Sequence, residues 1–256
     1  MPDIKALYSD YVKTLDTYIM FKIKQQTVKL TPELVKKDRK PIMLSIGSPT
    51  TRPPEFVIDA LREALKEDEK HSYSTTKGEK YFLEAAAQRM LGRFGVEVSV
   101  ENGEVCSLIG SKEGLCAMFR AVINPSTNPK EQDIIMIPDP GYASYKGQIK
   151  TSGGYPYPIP LKPENNYMPD PEEVFAQLAK DGFDPKKVKA FVVNYPNNPL
   201  GVPATREYLQ KVVDFCYKHN ILLISDVAYA DMYFEGEEPP ASILEFPKAK
   251  EIAVEF

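Results

Sequence analysis

Histidine and cysteine are scarce: the 256 residues include only His71 and His219, with Cys106, Cys116 and Cys216 as the thiols. None of these sits at metal-ligand spacing, so a zinc centre or a histidine triad lacks its raw material. An odd cysteine count gives no disulfide framework; the three read as buried free thiols inside strands or helices of a protein in a reducing compartment. Excess basic charge is missing too. The formal net charge of -4 supplies no field for nucleic acid, and no Lys/Arg block suggests a membrane surface. The opening MPDIKALYSDYVKTL has no apolar signal core, and no run approaches the length of a membrane helix. Neither Gly-x-Gly-x-x-Gly nor a Walker A loop occurs, which counts against a nucleotide-binding domain. Internal repeats and low-complexity segments are absent. The expectation is a soluble, cytoplasmic protein of small-molecule chemistry, with no nucleic-acid and no membrane partner.

What is present is core material in a repeating order: 43% of residues are hydrophobic and 27% charged. Strand-like runs at 104–109, 134–137, 155–160, 188–194, 221–224 and 251–256 alternate with helical runs at 115–123, 143–151 and 205–220. Another helix opens at Asp170-Pro171-Glu172-Glu173, a carboxylate cap with Pro at the first position. This alternation predicts an α/β fold, a mostly parallel sheet with helices on both faces. Before it, residues 1 to about 40 read as a mostly helical arm, with Leu7, Tyr11, Leu15, Tyr18 and Ile19 at helical spacing, as in an amphipathic packing helix. The proline-punctuated run 41–54 marks a boundary, which gives an arm over 1–45 and a main domain over 46–256. Pro54 then opens a helix with Phe56, Ala60, Leu61, Ala64 and Leu65 on one face.

Polar residues stand where the strands end. Asn198 follows the run 190–193, and Asp226 and Tyr229 follow the run 221–224. Ligands of open parallel sheets bind beyond the carboxyl ends of the strands, so these groups face one site. Asn198-Pro199-Leu200-Gly201 is a stiff turn closed by glycine. Gly110-Ser111-Lys112-Glu113-Gly114 leads from an expected strand straight into a helix, an arrangement whose free N–H groups attract an anion.

Asn198-Pro199-Leu200-Gly201 resembles the Asn-Pro-x-Gly turn of the fold-type I pyridoxal-phosphate enzymes, and Ser225-Asp226-Val227-Ala228-Tyr229 resembles their Asp-x-Ala-Tyr segment. The similarity is to class I/II aminotransferases. It implies that Asp226 pairs with the cofactor's ring nitrogen and that Asn198 and Tyr229 hydrogen-bond its phenolic oxygen. A carboxylate there keeps the nitrogen protonated and the ring electron-accepting. Gly-Ser-Lys-Glu-Gly is similar to the phosphate segment of a subgroup that includes LL-diaminopimelate aminotransferases, which implies phosphate contacts from Ser111 and Lys112. Pro138-Asp139-Pro140-Gly141-Tyr142 resembles the segment that stacks an aromatic, here Tyr142, on the ring. Tyr73 resembles the tyrosine that reaches the phosphate of a neighbouring subunit, which implies a homodimer.

Ile46-Gly47-Ser48-Pro49 is similar to the segment lining the substrate pocket, with Gly47 allowing close approach, although it departs from the Asp-Pro form of close relatives. The implied reaction moves an amino group from an amino acid to a 2-oxo acid through pyridoxal 5'-phosphate. A lyase or decarboxylase of the same fold shares these residues. The family's Schiff-base lysine follows a strand like EIAVEF and is expected beyond Phe256, so no catalytic residue is assigned. That makes the large domain incomplete and leaves open a non-catalytic, cofactor-binding scaffold.

Overall fold

The computed structural model describes residues 4–44, 47 and 51–256. Its β-branched and aromatic runs pair as five parallel strands among the described residues: β1 (Ile134–Asp139), β2 (Tyr155–Pro160), β3 (Val188–Val193), β4 (Leu222–Ser225) and β5 (Ala253–Glu255). Their order is β2-β1-β3-β4-β5. Side chains alternate across each strand, so the sheet has two cores. Ile134, Met136, Phe191, Val193 and Leu223 share one core with Leu178 of α7 (Pro171–Lys180) and Val212, Val213 and Phe215 of α8 (Arg206–His219). Ile135, Ile137, Ala190, Val192 and Ile224 share the other with Leu115 and Phe119 of α5 (Ser111–Val122) and Tyr145 and Ile149 of α6 (Ser144–Thr151). Each such burial contributes roughly 1.5–3 kcal/mol. The α/β reading with both sheet faces covered holds.

The helices start where the sequence places stop signals for strands. Asp170 caps α7 by accepting from the Glu172 N–H at 2.9 Å, with Pro171 next. Thr205 caps α8 through the Tyr208 N–H at 3.2 Å, and Asn220 ends it in the left-handed region. From β1 the chain crosses by α6 to β2, then returns past β1 through α7 to β3. The direction of travel therefore reverses between β1 and β3, the position where open sheets leave a crevice.

By compactness the chain divides into Met1–Asp16 with Tyr81–Phe256, and Thr17–Lys80. The sheet unit also holds α1 (Asp10–Lys13), most of α4 (Lys80–Phe94) and α9 (Ala249–Ile252). The second unit holds α2 (Ile19–Lys36), α3 (Glu55–Ala64) and a 3-10 turn at Asp68–His71. Phe56, Leu61 and Leu65 of the apolar face predicted around α3 are exposed. Among the described residues no helix is long and apolar enough to cross a membrane, and no three His, Cys, Asp or Glu gather to hold a metal.

Four expectations are corrected. Residues 104–109 do not form a strand, because a strand needs a neighbour to bond and none of the described strands lies alongside; Glu104 instead accepts from the Ser99 N–H at 2.8 Å and from Lys250. Residues 251 and 252 finish α9, which shortens the last strand to Ala253–Glu255. The arm is mostly helical, but the amphipathic packing helix expected across Leu7 to Ile19 does not form: α1 stops at Lys13, where the Thr14 hydroxyl donates to the Tyr11 carbonyl at 2.7 Å, and Leu7, Leu15, Tyr18 and Ile19 are exposed. Cys106 is exposed and Cys116 half-buried, so only Cys216 is a buried thiol, its pKa pushed up by burial.

Candidate active site

β3 and β4 run side by side to Val193 and Ser225, and the next residues carry the polar groups. The Asp226 N–H continues the ladder to the Val193 carbonyl at 2.9 Å, which fixes its main chain at the sheet edge. Asn194 braces it from the neighbouring strand end: its Nδ2 donates to the Asp226 carbonyl at 2.7 Å, and its Oδ1 accepts from the Asn198 N–H at 2.8 Å. One side chain thus ties the two motifs together. Asn197 shapes the following turn, its carbonyl accepting from the Gly201 N–H at 2.7 Å and its Oδ1 from the Leu200 N–H at 3.2 Å. Gly201 has φ +70°, a conformation that glycine adopts without penalty. The turn presents Asn198, whose Nδ2 donates to the Tyr229 hydroxyl at 3.4 Å. A cavity of about 480 Å³ opens here, lined by Asn197, Asn198, Pro199, Tyr229, Met232 and Phe234.

The Asp226 side chain is only 4% exposed. Its Oδ2 accepts from the Tyr145 hydroxyl at 2.5 Å, while Oδ1 is buried without a hydrogen-bond partner among the described residues. Burial raises the Asp226 pKa, against the lowering influence of the Tyr145 hydroxyl and the nearby Ala228 N–H. Tyr145 is itself fully buried, and burial followed by the Asp226 charge pushes its pKa far above the ordinary tyrosine value. It therefore stays protonated and serves as a donor. A buried carboxylate holding spare acceptor capacity and no cationic partner is costly unless something with a positive N–H completes it. Tyr142, three residues before Tyr145 and just ahead of α6, is half-buried, with its ring centroid 5.5 Å from that of Tyr145 and nearly perpendicular at 85°.

Ser111 and Lys112 form the first turn of α5, Ser111 half-buried and Lys112 exposed. Gly110 precedes them in extended conformation and gives no side-chain cap, so α5 starts with N–H groups free of a capping side chain. Phe256 links that helix to the strand ends. Its ring lies where any Cβ on Gly114 would be, and its main chain bonds the Ser225 carbonyl at 2.8 Å and the Val227 N–H at 2.9 Å on either side of Asp226. Gln148 Nε2 of α6 donates to the Lys112 carbonyl at 2.9 Å. Asn198, Asp226, Tyr229, Tyr142 and the start of α5 are thus brought to one end of the sheet. Tyr73 and Gly47 lie in the other compact unit, both exposed; Ile46, Ser48 and Pro49 around Gly47 lie outside the described residues.

A family model described as "Aminotransferase class I and II" matches residues 39–254. The chain belongs to that family. It is 36% identical over 249 residues to an LL-diaminopimelate aminotransferase of Aquifex aeolicus, covering 97% of this chain and 60% of that protein. With LL-diaminopimelate aminotransferase 2 of Trichormus variabilis the identity is 40% over 215 residues, covering 84% and 52%. Among solved structures, apo-BacF from Bacillus subtilis superposes with TM-score 0.81 at 32% identity over 97% of this chain and 58% of that one. Aspartate aminotransferase from Thermus thermophilus with maleate gives 0.80 at 27%, over 97% and 59%. The chain therefore spans between half and three-fifths of the length of these four proteins.

Sequence reasoning missed two side chains of this site, Tyr145 and Asn194. Tyr145 carried a usable signal, since it stands only three residues after Tyr142, in the first turn of the helix expected over 143–151. Asn194 was absorbed as the last residue of an apolar strand, although a polar residue at that point has the same position relative to β3 as Asp226 has to β4.

Proposed function

We propose that this chain carries the cofactor-binding part, within residues 46–256, of an aminotransferase that moves an amino group from an amino acid to a 2-oxo acid. The observation behind the reading is the Asp226 carboxylate, buried at the strand ends with one oxygen unpartnered beside the Asn198–Tyr229 pair. A pyridinium N–H is the kind of partner such a carboxylate lacks, so the residues present fit pyridoxal 5'-phosphate. Asp226 would hold the ring nitrogen, Asn198 and Tyr229 the phenolic oxygen, and Tyr142 a face of the ring. The uncapped N–H groups of α5, with Ser111 and Lys112, would take the phosphate. When bound, the cofactor supplies a protonated ring that accepts the electron pair released as the substrate loses its α-proton. Tyr73 would complete the phosphate site of a second copy in a homodimer, and Gly47 would border the substrate.

The chemistry left to this chain's own residues is to bind, orient and keep charge in place. Asp226 keeps its negative charge opposite the ring nitrogen only if its own proton stays off. The Asn198 amide and the Tyr229 hydroxyl, already in contact, would divide the phenolic oxygen between two donors and fix the tilt of the ring. The shared name of the two most similar relatives described above makes LL-diaminopimelate the first donor to assay.

The test measures binding of pyridoxal 5'-phosphate by its visible absorbance and by protein fluorescence, for the protein and its Asp226→Ala and Ser111→Ala variants. The expected losses are about 100-fold or more for Asp226→Ala and about 10-fold for Ser111→Ala, the scale of lost charged and neutral hydrogen bonds. Equal binding by all three proteins sinks the assignment. In a protein that also carries the lysine expected beyond Phe256, turnover with LL-diaminopimelate and 2-oxoglutarate should yield matched keto acid and glutamate; keto acid alone would mean a different reaction.

A further inference from the structure

We propose that Tyr145 is a positioning residue of this site, holding the Asp226 carboxylate in the one rotation in which it meets the ring nitrogen. The inference rests on the cofactor reading above and adds to it a group that touches neither cofactor nor substrate. Three observations carry it. First, the Tyr145 hydroxyl is the only side-chain donor to Asp226 among the described residues, at 2.5 Å, and the carboxylate has no other side chain to fix its torsion. Second, Tyr145 cannot move away: its side chain is wholly buried in the core formed by Leu115, Ile149 and Ile224, so its hydroxyl is a fixed point. Third, Tyr145 also sets the neighbouring wall, since its ring meets Tyr142 edge to face at 5.5 Å. A single core side chain thereby aligns both the ring-nitrogen partner and the stacking partner.

The physical need is specific. An aspartate turns freely about its last torsion, and a buried one with spare acceptor capacity rotates toward whichever donor is nearest. A donor from the core side occupies the inward-facing lone pairs and leaves the remaining ones for a ligand. The same hydrogen bond favours the ionised form, which burial opposes. Loss of the hydroxyl therefore weakens binding through the ring nitrogen in particular, and leaves phosphate and phenolic-oxygen contacts alone.

The experiment compares affinity for pyridoxal 5'-phosphate with affinity for its 1-deaza analogue, in which carbon replaces the ring nitrogen. The readout is the ratio of the two dissociation constants in wild type, Tyr145→Phe and Asp226→Asn. Tyr145→Phe is expected to bind pyridoxal 5'-phosphate about 10-fold more weakly while its affinity for the deaza analogue stays within about 2-fold of wild type. Equal weakening toward both ligands would make Tyr145 a packing residue only and overturn the proposal, as would no change toward either. If Tyr145→Phe fails to fold, Tyr145→His keeps a ring donor in the core. There a ratio of at least a third of the wild-type value supports the proposal, and a ratio as low as that of Asp226→Asn overturns it. Wild type that does not discriminate the two ligands, with Asp226→Asn unchanged, would instead refute the cofactor reading beneath it.

Discussion

Gly114→Ala should destabilise the protein even though alanine is the better helix former, and the contest can be worked from the structure. Gly114 is buried inside α5, and a Cβ built there lies 2.3 Å from Phe256 Cε1, 2.5 Å from Leu108 Cδ1 and 2.7 Å from Phe256 Cδ1. No real Cβ tolerates such approaches, so the Phe256 ring must swing or α5 must lift. Overpacking of this kind costs about 1–3 kcal/mol. Replacing glycine by alanine within a helix returns roughly 0.5–1 kcal/mol. At mid-range the clash wins by about 1 kcal/mol, between bounds of about 0 and 2.5 kcal/mol, and the mid-range loss is about 2–4 °C in Tm for a unit of this size.

Gly147→Ala is the matched control. It sits inside α6 with nothing within 4 Å of the added methyl, so only the helix gain applies and Tm should rise by about 1–4 °C. Thermal melts followed by circular dichroism read both. Adding Phe256→Ala to Gly114→Ala should produce a favourable coupling of about 1 kcal/mol, because the ring is the obstacle. A Gly114→Ala protein that melts at or above wild type would refute the claim that Phe256 is pressed against α5.

The remaining predictions concern buried and capping carboxylates. Because the native Asp226 pKa is raised by burial, the native state binds a proton more readily than the unfolded chain, and stability falls as pH rises from the ordinary aspartate range through the native value. Asp226→Asn removes that dependence, so in cofactor-free protein its Tm relative to wild type should climb with pH across this window and then level off; a gap that shrinks with rising pH contradicts it. Asp170→Ala loses the cap of α7 and the contact with Lys211 at 2.5 Å, for an expected cost of about 1 kcal/mol. Burial opposes ionisation of Asp170, but Lys211 and the Glu172 N–H outweigh it and lower its pKa, so wild-type stability is lost as pH falls through that lowered value. The Asp170→Ala protein should therefore show a flatter acid limb in a pH series of melts, and an unchanged limb would count against the cap.

Local rules recovered most of the sheet unit because its elements are locally marked. The runs that became β1, β3 and β4 are continuous and apolar, as a sheet covered on both faces requires, and Asp170-Pro171 announces α7 in two residues. Residues 104–109 failed for a non-local reason: apolar character is a property of the segment, but strand formation is a property of its neighbour. Cys106 was misplaced by the same error. In the arm, the helical spacing from Leu7 to Ile19 is real, yet spacing alone cannot hold a helix that has little surface to bury. At the site, the strand-end position of Asp226 was legible from sequence, whereas its partner Tyr145 lies on another element. Nothing local joins a hydroxyl on α6 to a carboxylate after β4.

The reversal of strand order between β1 and β3 has a kinetic side. Pairing Ile134 with Val188 closes a longer loop than pairing Ile134 with Tyr155 or Ala190 with Leu222, so of these three contacts it carries the largest entropic charge. Tyr145 is reached from β1 and Asp226 from β4, on opposite sides of that junction. Their hydrogen bond can close only once the two halves of the sheet have met in register. A ligand that needs both groups is thus blind to any partly assembled or slipped form, and by mass action it withdraws chains from the folding ensemble only at the correct topology. The same feature makes ligand capture a stopwatch for the slowest pairing in the sheet.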